Sequence, residues 1–149
     1  MSRAMTEDGL SDDVIAEILR SSHSFAVVGA SNKPDRPSYG VMAFLVARGY
    51  AVHPVNPGLA GQGILERMVY ASLADVPAPV DVVDIFRNSD AALDVGREAI
   101  AEKDRLGTKV VWMQLGVINV DAAREAATAG LVVVMNRCPK IEASRLGLT

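Results

Sequence analysis

Ser24-Phe25-Ala26-Val27-Val28-Gly29-Ala30-Ser31-Asn32-Lys33-Pro34-Asp35-Arg36-Pro37-Ser38-Tyr39-Gly40-Val41 is the stretch whose reading decides the fold. Residues 25–28 form a short apolar run with the length and β-branched content of a strand buried on both faces. Gly29 ends the run and residues 30–36 make a polar loop. Pro37 then has the fixed φ that suits the first turn of a helix, and residues 39–48 carry helical spacing. A strand, a glycine turn and a helix N-terminus together make an anion site, because backbone N–H groups and the positive end of the helix dipole point at one spot. The loop is expected to hold the pyrophosphate of a nucleotide-like cofactor.

Upstream, residues 1–10 read as a tail and residues 11–149 as a single domain. Ser11 is an N-cap, Asp12 and Asp13 oppose the dipole favourably, and Val14, Ile15, Ile18 and Leu19 form one apolar stripe. Downstream of Gly49, residues 50–55 form a second strand, short because Pro54 cannot donate to a ladder. Asn56-Pro57-Gly58 turns the chain, residues 59–66 are a loop, and residues 69–73 form a short extended piece. Residues 80–86 are a third strand. Asn88 or Ser89 caps a helix over residues 90–105, with Gly107 as its left-handed stop. Residues 110–113 are a fourth buried strand, Asn119 caps a helix through Ala129, and residues 131–135 are the fifth strand. The segment after it contains Cys138-Pro139 and ends in a helical turn.

Strands alternating with helices imply parallel units joined by right-handed crossovers. The expected architecture is α/β, a Rossmann-like doubly wound parallel sheet of order 3-2-1-4-5 with helices on both faces. Ligands of such sheets bind outside the carboxyl ends of the strands, where the winding reverses. On that order Gly29, Ala30 and Ser31 face residues 114–116, with Asn56-Pro57 and Phe86-Arg87 at the flanks.

The bulk properties narrow the function. At 149 residues the chain can bury a core without disulfides or metals. A formal charge of −3 and the lack of any lysine/arginine run argue against a nucleic-acid partner. No apolar run approaches the ~18 residues that span a bilayer, so no membrane role is expected. A lone cysteine, Cys138, fits a reducing cytoplasm, and the isolated His23 and His53 lack metal-ligand spacing.

A dinucleotide is the default cofactor for this fold, with G-x-G-x-x-G after the first strand and an acid about 20 residues on. Here Gly29-Ala30-Ser31-Asn32-Lys33-Pro34 lacks both later glycines, and the second strand ends in Val55-Asn56 without a carboxylate. An NAD(P)-binding oxidoreductase-like domain is therefore disfavoured. The absence of G-K-[ST] excludes a P-loop.

The chain resembles the stand-alone coenzyme A-binding proteins, related to the CoA-binding domain of the succinyl-CoA synthetase alpha subunit. The resemblance runs from about Ser11 to Glu142. It is carried by Val27-Val28-Gly29-Ala30-Ser31, Arg36-Pro37-Ser38-Tyr39-Gly40-Val41, Val55-Asn56-Pro57 and Ser72-Leu73-Ala74-Asp75-Val76-Pro77. Val83-Asp84-Ile85-Phe86-Arg87, Trp112-Met113-Gln114-Leu115-Gly116 and Met135-Asn136-Arg137-Cys138-Pro139 complete it. Each stretch is weak alone; their order and spacing are specific.

The resemblance implies that CoA or an acyl-CoA is the ligand. Gly29, Ala30 and Ser31 would approach the pyrophosphate, with Arg36 and Ser38 adding a charge and a hydroxyl. Val55, Asn56 and Pro57 would border the adenosine, Phe86 and Arg87 the adenosine or pantetheine, and Gln114 and Gly116 would line the groove. Relatives often carry lysine after the Asn-Pro pair, where Gly58 stands here, so Lys33 or Arg67 is left to neutralise the ribose 3′-phosphate. Asn136 replaces a common aspartate.

No Ser–His–Asp or Cys–His set is recognisable, which favours binding without catalysis. The alternative of an accessory subunit of an acyl-CoA ligase would need separate partner chains. A homodimer or another protein partner stays open. Arg137 beside Cys138 raises the question of a reactive thiol, against the plainer reading of a small packed side chain.

Overall fold

β1 (Ser24–Val28) is buried along its whole length, the environment its unbroken apolar run demands. The structure, a computed structural model, describes residues 7–148. β1 lies inside a five-stranded parallel sheet with β2 (Ala51–Val55), β5 (Val82–Ile85), β6 (Val110–Met113) and β7 (Val132–Val134). Five helices accompany it: α1 (Asp12–Ser21), α2 (Pro37–Ala47), α3 (Ala92–Leu106), α4 (Val120–Thr128) and α5 (Pro139–Arg145). A small antiparallel hairpin, β3 (Gly63–Ile64) and β4 (Arg67–Met68), stands apart.

The helix ends follow their residues. Ser11 Oγ accepts the Val14 N–H at 3.4 Å at the start of α1. Asn119 Oδ1 accepts the Ala122 N–H at 2.9 Å at the start of α4, and α3 stops at Gly107 with φ 72°. Asn88 Oδ1 takes the Ala91 N–H at 2.8 Å, and α3 begins just after, at Ala92.

The sheet is doubly wound and Rossmann-like, but its order is β2-β1-β5-β6-β7. Counting only the principal strands this is 2-1-3-4-5, which corrects the expected 3-2-1-4-5. Pro54 supplies the physical reason. Val55 O faces β1 and accepts the Gly29 N–H at 2.9 Å, whereas Pro54 O faces outward and accepts the Tyr70 N–H at 2.9 Å. The N–H that proline lacks is therefore missing on the outer side of β2, where a further strand would need it. β2 is the edge, touched there by a single bridge at Tyr70, and the third principal strand pairs with β1 instead.

Residues on alternate positions of the strands build two cores. Phe25, Val27, Val82, Trp112 and Val134 pack with Ile15 and Leu19 of α1, Val41, Met42 and Leu45 of α2, and Ala143 of α5. Ala26, Val28, Val83, Ile85, Val111 and Met113 pack with Val95 and Ala99 of α3 and Ala122 and Ala126 of α4. Helices thus cover both faces, as a parallel sheet requires.

The expected loop over residues 59–66 contains β3 and the turn of the β3–β4 hairpin, whose second strand follows at residues 67–68. Its turn residues Leu65 and Glu66 both have positive φ, 50° and 65°, the backbone of a type I′ turn without glycine. At the N-terminal end, the Asp8 carboxylate accepts from Arg137 Nε at 2.9 Å and Nη2 at 2.8 Å, and Leu10 O accepts from Nη2 at 3.0 Å. The reading of residues 1–10 as a tail thus meets two anchored positions, while residues 1–6 lie outside the described residues. No helix among the described residues is long and apolar enough to cross a membrane.

Candidate functional site

β1 sits between β2 and β5, so the winding reverses beside it, and the crevice opens at the carboxyl ends of β1 and β5. Gly29 turns the chain there with φ 93°, and a Cβ on it would lie 3.0 Å from both the carbonyl carbon and oxygen of Phe86. Only glycine combines that backbone with that approach. The expected neighbours of Gly29, residues 114–116, are one strand further away, because β5 intervenes.

The amides of the turn are already committed. Gly29 and Ala30 both donate to Val55 O, at 2.9 and 3.2 Å. Ser31 N–H donates to Ser38 Oγ at 3.0 Å, and Lys33 N–H to Ser31 Oγ at 3.1 Å. In this turn the N–H groups of Asn32, Asp35 and Ser38 have no partner among the described residues. The hydroxyl proton of Ser38 is also left to donate, since its oxygen is the acceptor in that bond. α2 begins with Pro37 and has no acidic residue in its first turn, so nothing in that turn competes with an incoming anion.

Two adjoining clefts share Gly29. The first, of about 400 Å³, is bordered by Gly29, Ser31, Lys33, Arg36, Ser38, Phe86 and Gln114. The second, of about 350 Å³, is bordered by Gly29, Val55, Asn56, Pro57 and Arg87. Ala30 and Gly116 border neither. Ala30 is fully buried and offers its carbonyl to Asn56 Nδ2 at 2.8 Å. Gly116 N–H donates to Asn136 Oδ1 at 2.7 Å, which is the role found for the residue that replaces aspartate.

The cations around these clefts are uncommitted. Lys33, Arg36 and Arg87 are exposed, and none forms an ion pair or side-chain hydrogen bond among the described residues. Arg97, by contrast, pairs with Glu125 and Arg145 with Asp12. Arg67 donates to Leu65 O at 2.5 Å and borders neither cleft. Lys33 borders the first cleft, and Arg87 is the cation beside Asn56-Pro57.

Several neighbours escaped the sequence reading. Pro37 and Val117 complete the first cleft, together with Leu115 of the expected 114–116 turn. Ser72 and Glu98 complete the second, where Glu98 Oε1 accepts the Leu73 N–H at 2.6 Å. Beneath the site, Asp84 lies in β5 between Val27 and Trp112. It is fully buried, and neither carboxyl oxygen has a hydrogen-bond partner. Burial pushes its carboxyl well above the usual carboxylate range. An acid flanked by Val83 and Ile85 inside an apolar strand was the signal for it. Gln114, two residues after Trp112 on the adjoining strand, also holds its Oε1 buried and unpartnered.

The remaining candidates are structural. Trp112 is fully buried and donates from Nε1 to Arg137 O at 2.8 Å. The Arg137 guanidinium is turned to Asp8 and Glu142, whose side chains are 1% and 7% exposed, rather than offered to the Cys138 thiol. His53 is half-buried in β2, and burial lowers its pKa. No group of His, Cys, Asp or Glu among the described residues could hold a metal ion.

Comparison with known proteins identifies the family and the fold. The family described as a CoA binding domain matches residues 23–144. The chain is 35% identical over 127 residues to the uncharacterized protein YneT of Bacillus subtilis (strain 168), spanning 85% of this chain and 90% of that one. A hypothetical protein from Pyrococcus horikoshii OT3 superposes with a TM-score of 0.89 at 40% identity, covering 98% of this chain and 99% of that one. The dinucleotide forming acetyl-coenzyme A synthetase 1 of Ca. Korarchaeum cryptofilum is 25% identical with a TM-score of 0.66; the match covers 85% of this chain but 28% of the synthetase.

Proposed function

The chain belongs to the CoA-binding domain family, and from that premise we propose that it holds CoA across the two clefts at the carboxyl ends of β1 and β5, without catalysis of its own. CoA supplies a thiol that carries acyl groups as thioesters; the residues here bind and orient the rest of the molecule. The observation that carries the reading is the set of uncommitted cations, Lys33, Arg36 and Arg87, around a glycine turn that no side chain can occupy.

The pyrophosphate belongs in the first cleft. There the Ser38 N–H and hydroxyl and the Arg36 guanidinium donate and Lys33 adds charge, with the unpartnered Asn32 N–H between the lining residues Ser31 and Lys33 as a further donor. Guanidinium suits phosphate because its planar fork donates two bonds at once. Gly29 lets the ligand cross from one cleft to the other against the Phe86 backbone. The adenosine belongs in the second cleft beside Val55, Asn56 and Pro57, and Arg87 is the cation placed to neutralise the ribose 3′-phosphate there.

Calorimetric titration with CoA and with NAD tests this reading. CoA binding at micromolar affinity or better, with no heat from NAD, is the expected result. NAD binding without CoA binding would overturn it.

A further inference from the structure

An apolar groove opens beside the first cleft, between α2, the turn after β6 and the start of α5. Pro37, Gly40, Val41, Leu115, Cys138 and Ile141 supply most of its lining, with Lys140, Ser144 and Arg145 of α5 at its border. Its volume of about 840 Å³ lies in the range of small-molecule sites. Leu115 and Ile141 are 57% and 52% exposed, unusual for large aliphatic side chains that face each other across one depression. The groove is continuous with the phosphate cleft, because Pro37, Gln114 and Leu115 border both. At that junction Gln114 is 6% exposed, and its Oε1 has no hydrogen-bond partner. An acceptor left unmatched in a buried place is costly unless something donates to it.

We propose that this groove takes the apolar acyl chain of an acyl-CoA, so that the ligand is a thioester of a straight-chain fatty acid rather than the free thiol. The inference rests on the CoA reading above. The chain's own geometry orders the ligand's parts. Anionic groups meet the cations of the first cleft, an amide N–H meets Gln114 at the junction, and methylenes meet Pro37, Val41, Leu115 and Ile141 beyond it.

Titration of the full chain with CoA and with its acetyl, butyryl, hexanoyl and octanoyl thioesters tests the proposal. Burial of each methylene is expected to tighten binding about fourfold until the groove is filled. Gly40→Leu is the informative variant: Gly40 lies in α2 and a Cβ there meets nothing within 4 Å, so a larger side chain fills the groove without disturbing the core. It should abolish the chain-length dependence and leave free CoA binding unchanged. Ile141→Asp, on an exposed position of α5, should act the same way. Affinity that is flat with chain length, while CoA still binds, overturns the acyl groove and leaves the CoA reading standing. Flat affinity together with a dimer that Ile141→Asp splits in sedimentation overturns it in favour of a second copy on this face. Failure of CoA and every thioester to bind overturns both readings.

Discussion

The Asn56 side-chain amide donates from Nδ2 to the Ala30 carbonyl at 2.8 Å, while its Oδ1 accepts the Gly58 N–H at 2.8 Å. One side chain thereby ties the turn after β1 to the turn after β2, and so fixes the two clefts relative to each other. Asn56→Ala removes both bonds and leaves the Ala30 carbonyl without that donor. Loss of about 1–3 kcal/mol in urea unfolding is expected, with weaker CoA binding in calorimetry. Asn56→Asp keeps the Gly58 bond and loses the one to Ala30, so it should fall between the two.

Gly29→Ala forces a Cβ to 3.0 Å from the Phe86 backbone at a φ of 93°. A strain of about 1–3 kcal/mol is expected in stability, read as a lower urea midpoint. CoA binding should drop with it, since the added methyl sits where the ligand crosses between the clefts. A stable, fully binding Gly29→Ala would remove the close-approach argument.

Arg36 and Arg87 are assigned different phosphates, and 3′-dephospho-CoA separates them. Loss of a charge-assisted hydrogen bond worth about 1.5–3 kcal/mol weakens binding about ten- to a hundredfold. Arg36→Ala should weaken CoA and dephospho-CoA alike. Arg87→Ala should weaken CoA and leave dephospho-CoA nearly unchanged. Both effects should shrink as salt rises, because these side chains are exposed. Equal loss for both ligands with Arg87→Ala would move the 3′-phosphate elsewhere.

Asp84 makes stability depend on pH. Burial raises its folded-state pKa above the ordinary value of 3.8, so the folded protein holds a proton that the unfolded chain releases. The stabilisation is fully present below 3.8 and is lost as pH rises toward the folded pKa, at about 1.4 kcal/mol per pH unit within that window. His53 acts in the opposite sense: its lowered pKa costs stability as pH falls below 6.5. Comparing wild type with Asp84→Asn from pH 5 to 9 cancels the histidine. The wild type should lose ground to the variant as pH rises, and parallel curves would contradict the assignment.

Arg137 closes the chain on itself, joining Asp8 near the N-terminal end to Glu142 in α5 through side chains that are nearly inaccessible. Burial disfavours the charge of Glu142, yet hydrogen bonds from Arg145 and Arg137 outweigh it and hold the carboxyl below its usual range. Arg137→Met removes the cation buried between these two acids, although Arg145 still pairs with Glu142, and a loss of about 3–5 kcal/mol is expected in urea unfolding.

The sequence read the strands, the caps and the glycine turn well because each is a local matter. Ser11, Asn119 and Gly107 announce helix ends by their own chemistry, and an apolar run such as residues 25–28 needs no distant information. Strand order is not local. Pro54 signalled an irregular strand, but only the pairing partners reveal that its missing N–H faces outward and makes β2 an edge. The site was legible as a set of residue types, since Lys33, Arg36, Ser38, Asn56 and Arg87 all border one cleft or the other. Their division of labour was not. The amides of residues 29–31 looked available in sequence and are engaged by Val55 and Ser38, while Asn56 turned out to be a clamp. The apolar groove joins α2 to α5 across most of the chain, and no spacing along the sequence encodes that meeting.

Amide chemical shifts recorded during CoA titration show where the pyrophosphate lies. The largest changes are expected at the Asn32 and Ser38 N–H groups, with smaller changes beside Arg87 that vanish for dephospho-CoA. Saturable CoA binding that leaves residues 29–40 unmoved would contradict this placement.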